Sequence, residues 1–118
     1  MRGGMTGGMV IAVHEARDAC KGEPDLVKRI EKAMRATRNH WMETSEDAQF
    51  RSALAAAMLE SDDADKDRIT RSMAQLRKVS AVIGALQAGV PVDFEKMAED
   101  KPVDDILPLS RMWHDLAA

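Results

Sequence analysis

Apolar residues recur along this chain at intervals of three and four, the period of an α-helix, with polar residues between them. The first such stretch, about residues 9–20, places Val10, Val13, Ala16 and Cys20 near one face, and Gly22 with Pro24 stops it. Its β-branched opening leaves a short strand as the alternative there. The second stretch runs from Pro24, read as the first helical position where proline is tolerated, to about Trp41. Leu26, Ile30, Ala33, Met34, Thr37 and Trp41 form its stripe. Thr44 and Asp47 make a capping pattern for a third helix over about 45–60, whose apolar face carries Phe50, Leu54, Ala57 and Met58. The tight junction between the second and third helices predicts an angled or antiparallel hairpin.

The longest helix is predicted over about 62–88. Asp62, Asp63, Asp65 and Asp67 stand at its start and Arg77 and Lys78 further along, a polarity that suits the helix dipole at the acidic end. Ile69, Met73, Leu76, Val79, Ile83 and Leu86 form its stripe. Between Val79 and Leu86 the helix is apolar nearly all round, and Ser80, Gly84 and Ala88 add a row of small residues where another helix could approach. Such a stretch is expected at the centre of the core or of a subunit interface. Beyond Gly89 the motif Pro91-Val-Asp93 returns as Pro102-Val-Asp104, each time a proline entry followed by an aspartate able to cap the next turn. Two short helices follow, about 94–99 and 105–117, the last with Ile106, Leu109, Trp113 and Leu116 on one side. Two copies of the motif are too few for a solenoid. The fold class is therefore all-α, a small bundle of about five to six helices.

Composition narrows this picture. A chain of 118 residues has the size of one domain, placed here at 9–118. Residues 1–8, with four glycines, read as a flexible leader or tag-like segment. The balance of 45% hydrophobic and 31% charged residues is that of a globular protein, and no apolar run approaches the roughly 18 residues of a membrane span. Met9 to Val13 is too short for a secretory core of about 7 apolar residues or more. Aromatic residues make up only 3% of the chain, which favours helices over strands. A single cysteine forms no internal disulfide and fits a reducing compartment, so a cytoplasmic location is expected. The abundance of Ala, Asp and Met is similar to that of small bacterial and phage accessory proteins.

Motifs of known chemistry are incomplete. Asp63-Ala-Asp65-Lys-Asp67 begins like a calcium loop, but position six is Arg68 instead of glycine and position twelve is Ala74 instead of a bidentate glutamate. His14 with Asp18 and His40 with Glu43 share helical faces without the further ligands a metal site requires. Cys20 has no adjacent base, and no Gly-Lys-Ser/Thr follows the early glycines. No catalytic residue, cofactor or metal is assigned.

Charge is the informative surface feature. Lys28, Arg29, Lys32, Arg35 and Arg38 face Glu31 alone within 26–41, and they read as a basic face opposite the apolar stripe. The expected function is a non-enzymatic protein-interaction module: a regulator, inhibitor or adaptor acting through helical faces. Its partner-binding residues are that cation row together with Ile106, Leu109, Met112, Trp113 and Leu116. Self-association as a homodimer is expected through Val79, Ser80, Ile83, Gly84 and Leu86. Nucleic-acid binding by the basic helix is the first alternative, opposed by a net charge of −3 and a third helix that begins Ser45-Glu-Asp47. A metal-binding helical bundle is the second.

Overall fold

The computed structural model describes residues 7–39, 45–92 and 107–116. Among them the chain is helical and contains no strand: α1 (Gly7–Cys20), α2 (Leu26–Asn39), α3 (Glu46–Leu59), α4 (Asp63–Ala88) and α5 (Leu109–Asp115). The helix predicted over 94–99, the second proline motif, Trp41, Thr44 and Ile106 lie outside the described residues.

The helix ends follow local chemistry and refine the sequence-based boundaries. α1 opens at Gly7, inside the segment set apart as a leader, and its β-branched start is helical. It closes on Gly22, whose φ of 81° is a left-handed conformation that glycine adopts without steric cost. α2 begins at Leu26, two residues after the predicted first position Pro24, and Asp25 caps it. Its Oδ2 accepts from the Lys28 amide at 3.0 Å, and its carbonyl takes the first helical bond, from Arg29 N–H at 2.9 Å. Ser45 caps α3 by accepting from Ala48 N–H at 3.2 Å, one residue beyond the predicted Thr44. Asp62 caps α4 by accepting from Asp65 N–H at 2.9 Å. At the other end of α4, Gly89 takes φ 73° and Val90 N–H reaches back to Ala85 O at 2.9 Å, a six-to-one closure of the Schellman type.

α1, α2 and α3 each pack against the other two. Ala12, Ala16, Ala33, Ala53, Ala56 and Ala57 are all buried, so the three backbones approach closely, and Ile30, Met34 and Leu54 fill the space between them. α5 lays Leu109, Met112 and Trp113 onto this core. α4 packs against α3 and α5.

Buried polar groups join the elements. The Arg29 guanidinium, almost entirely enclosed, donates to Glu23 O at 3.0 Å, Pro24 O at 3.2 Å, Ser61 Oγ at 2.9 Å and Asp65 Oδ2 at 3.0 Å. One side chain thus ties the α1–α2 turn, the α3–α4 turn and the first turn of α4 together. Arg17 and Glu60 pair at 2.8 Å between the last turn of α1 and the end of α3. Ser72 Oγ donates to Arg68 O and accepts from the buried Leu107 N–H, both at 2.8 Å, which fixes the approach to α5 against α4.

Of the two settings expected for the second half of α4, the core and a subunit interface, the fold excludes the first. The apolar second half of α4 is not in the core of this chain: Val79, Ile83, Leu86 and Val90 are 47%, 51%, 57% and 53% exposed. The reason is topological, because the core is closed by α1, α2, α3 and α5, and α4 reaches it only with its first half, where Ile69 and Ser72 are buried.

Candidate docking surface

The spacing along α4 is more regular than a list of its apolar residues suggests. Ile69, Ser72, Leu76, Val79, Ile83 and Leu86 follow at intervals of three and four without a break. This is the seam that packs one helix along another in a shallow left-handed crossing. Its first part is covered: Ile69 and Ser72 are buried and Leu76 is half-buried. From Val79 onward it is open. Residues 79–92 include no charged side chain at all. At the boundary between the two parts lies an apolar cleft of about 270 Å³ between α4 and the start of α5, lined among others by Ser72, Gln75, Leu76, Val79, Leu107 and Leu109.

Of the predicted self-association residues, Val79, Ile83 and Leu86 stand on this seam. Ser80 and Gly84 lie about 100° and 140° round the helix from Val79 and belong to its flank and back. Among the described residues nothing approaches Gly84 closely, and a side chain there would meet open space. Val90 lies beyond the seam, because α4 ends at Ala88 and Gly89 at φ 73° turns the chain out of the helix before it.

The basic row of α2 is redistributed. About the axis of α2, Arg29 and Arg38 flank Ile30 at about 100° and 80° on opposite sides, whereas Lys28, Lys32 and Arg35 occupy the back. Arg29 is accordingly drawn inside, with the four partners named above. Lys32 pairs with Glu23 at 2.9 Å, and this hydrogen bond, followed by the Asp25 amide, holds the Glu23 carboxyl below its ordinary range. Lys28 and Arg35 are exposed.

Arg38 turns toward α5. Its guanidinium carbon stands 4.2 Å from the centre of the Trp113 ring, within the range of a cation–π contact. It also pairs with Glu46 and donates to Trp113 O at 3.3 Å. The Trp113 indole N–H donates to the same Glu46 Oε1 at 2.9 Å, and Phe50 meets the indole edge-on at 5.4 Å. The Glu46 carboxyl is held low first by the Arg38 hydrogen bond and then by the Trp113 indole. Leu109, Met112 and Trp113 are buried and Leu116 is half-buried, so this amphipathic helix fills a groove of its own chain.

Among the described residues no three His, Cys, Asp or Glu side chains gather as a metal would require. Asp63 and Asp67 are exposed, while Asp65 holds Arg29. Cys20 is buried, and its thiol is pushed up from the usual value by that burial first and by Glu60 second, the opposite of an activated thiolate. No helix of the described residues is long and apolar enough to cross a membrane.

Comparison with protein-family models, with characterised proteins and with solved structures gives no match to this chain.

Proposed function

We propose that this chain is a non-enzymatic protein-interaction module, a regulator, inhibitor or adaptor, which binds an apolar helical partner along the distal half of α4. The observation that carries the reading is the seam running past the end of the core, with Val79, Ile83 and Leu86 half exposed on it and Val90 half exposed just beyond the helix. Single exposed aliphatics are ordinary on any protein surface, but three in helical register without an intervening charge, with a fourth just past the helix end, form a patch of the kind that marks an interaction site. Covering them contributes roughly 3–6 kcal/mol on the scale of aliphatic burial. The cleft beside Leu76 gives the partner a shaped end to enter.

The test is affinity capture from a nuclease-treated host extract, comparing the wild type with a variant carrying Ile83→Glu and Leu86→Glu. Ile11→Glu serves as a control, since Ile11 is 53% exposed but stands on α1. Retention of a protein by the wild type and the control, and its loss from the double variant, is the expected result. Equal retention by all three would overturn the reading. Disappearance of every retained species on nuclease treatment would transfer the function to nucleic acid and to the exposed cations of α2.

A further inference from the structure

We infer that the partner helix is acidic at one end: the aliphatic side chain it places in the cleft between α4 and α5 is flanked by a carboxylate that pairs with Arg111. This rests on the docking reading above and names the chemistry of the partner and the direction in which it lies.

Size decides what enters the cleft. Leu76, Val79, Leu107, Pro108 and Leu109 form apolar walls around about 270 Å³. Pockets that enclose a whole small ligand run from about 300 to 1,000 Å³. A smaller cleft, open to solvent, fits one side chain of a larger partner.

Polarity decides what stands beside that side chain. The other residues lining the cleft are Ser72, Gln75, Ser110 and Arg111, with no carboxylate among them. Ser72 Oγ is already committed, donating to Arg68 O and accepting from Leu107 N–H. Arg111 is exposed. Among the described residues no carboxylate stands within ion-pair distance of it, Asp115 one turn further along α5 included. A guanidinium keeps its charge and offers five N–H donors in a planar fork. A partner that covers the cleft with a neutral flank removes water from these donors and returns nothing, whereas a carboxylate takes two of them at once.

The surroundings carry the same sign. From Arg68 to Val92 the charged residues are Arg68, Arg71, Arg77 and Lys78, with no Asp or Glu. Arg68, Arg71 and Lys78 have interactions within the chain. Arg77, between Leu76 and Val79 in the sequence, is exposed like Arg111. A basic flank on the partner is repelled at this level of α4 and an acidic one attracted.

The distal strip sets the direction. Residues 79–92 carry no charge, so the carboxylate belongs only at the cleft end of the partner's apolar stripe. The remaining anchors run over Val79, Ile83 and Leu86 with uncharged neighbours.

The probes are three synthetic, end-capped helical peptides with a leucine stripe at intervals of three and four and glutamine-rich flanks. They differ in one residue beside the terminal leucine, which is Glu, Gln or Lys. Affinities for the full chain are read from its amide chemical shifts in titrations carried into the millimolar range. The glutamate peptide should bind about two- to fivefold more tightly than the glutamine peptide, the size of an exposed ion pair, and the lysine peptide more weakly than either. The shifts that separate the three should centre on Leu76, Leu107 and Arg111. Arg111→Gln should remove most of the preference and Arg111→Glu reverse it, with helical circular dichroism unchanged.

Equal binding of the three peptides by the wild type, or an order that Arg111→Glu leaves as it was, overturns the inference. If the peptides bind the wild type equally and the Ile83→Glu, Leu86→Glu variant loses them all, the docking face stands and only its acidic partner falls. If that variant binds them as the wild type does, both fall. Binding of the glutamate peptide only after Asp104→Asn and Asp105→Asn would give the cleft to this chain's own carboxylates, which also overturns the inference.

Discussion

Ile69 and Ile83 are the same residue at the same position of the same repeat, two heptads apart on α4, and they have opposite fates. Ile69 is fully buried against the bundle and Ile83 is 51% exposed. Side-chain chemistry and local conformation are shared, so the difference comes from what the rest of the chain supplies. The proximal half of α4 has α3, the Arg29 clamp and the Leu107 contact beside it. The distal half extends past all three. A hydrophobic stripe thus records that a helix wants a neighbour, and the fold decides whether the neighbour comes from the same chain.

The largest effect that could break this contrast comes from truncating the two isoleucines. Ile69→Ala is expected to cost about 3–4 kcal/mol in urea unfolding at low protein concentration, as large-to-small changes in a packed core do. Ile83→Ala should stay within about 0.5 kcal/mol. Equal losses at the two sites would place both in one core.

Arg29→Ala comes next, at about 2–3 kcal/mol, because it removes a buried guanidinium and leaves the part-buried Asp65 and the Glu23 and Pro24 carbonyls without their donor. Its effect should be readable as faster amide exchange over 63–72, with 79–88 unchanged. Ser72→Ala leaves the buried Leu107 amide without its acceptor and should cost about 1–2 kcal/mol. That change should also extend the open part of the seam back toward Leu76, measurable as increased accessibility of a Leu76→Cys thiol.

The smallest effect concerns pH. The Glu46 carboxyl is depressed by Arg38 and then by the Trp113 indole. The contribution of this contact is therefore complete above the ordinary carboxylate value of about 4.3 and is lost as pH falls through the lower folded value. The Trp113 indole N–H resonance should shift in that acidic window. Glu46→Gln should abolish the shift while leaving the α4 seam signals in place.

Much of the fold was legible because helices announce themselves by period. The stripes of α2 and α4 and the stop at Gly89 all follow from the residues, and the boundaries moved only slightly, the start of α2 from Pro24 to Leu26 and the cap of α3 from Thr44 to Ser45. The candidate site was legible only in part. Val79, Ile83 and Leu86 stood out by hydrophobicity, yet periodicity cannot say whether core or solvent faces them, since that depends on contacts between distant residues such as Ser72 and Leu107. The basic row misled for a related reason. Arg29 and Arg38 belong to the edges of the apolar stripe, where a long side chain can turn inward, and their partners Asp65 and Glu46 are remote in sequence.

The most direct test of the division of α4 is peptide-resolved hydrogen exchange of the full chain at about 5 µM and about 1 mM. Residues 63–76 should be protected at both concentrations, and 77–88 should exchange rapidly in the dilute sample. Uniform protection of the whole helix at the lower concentration would mean that its own chain already covers the distal face, and would contradict the account.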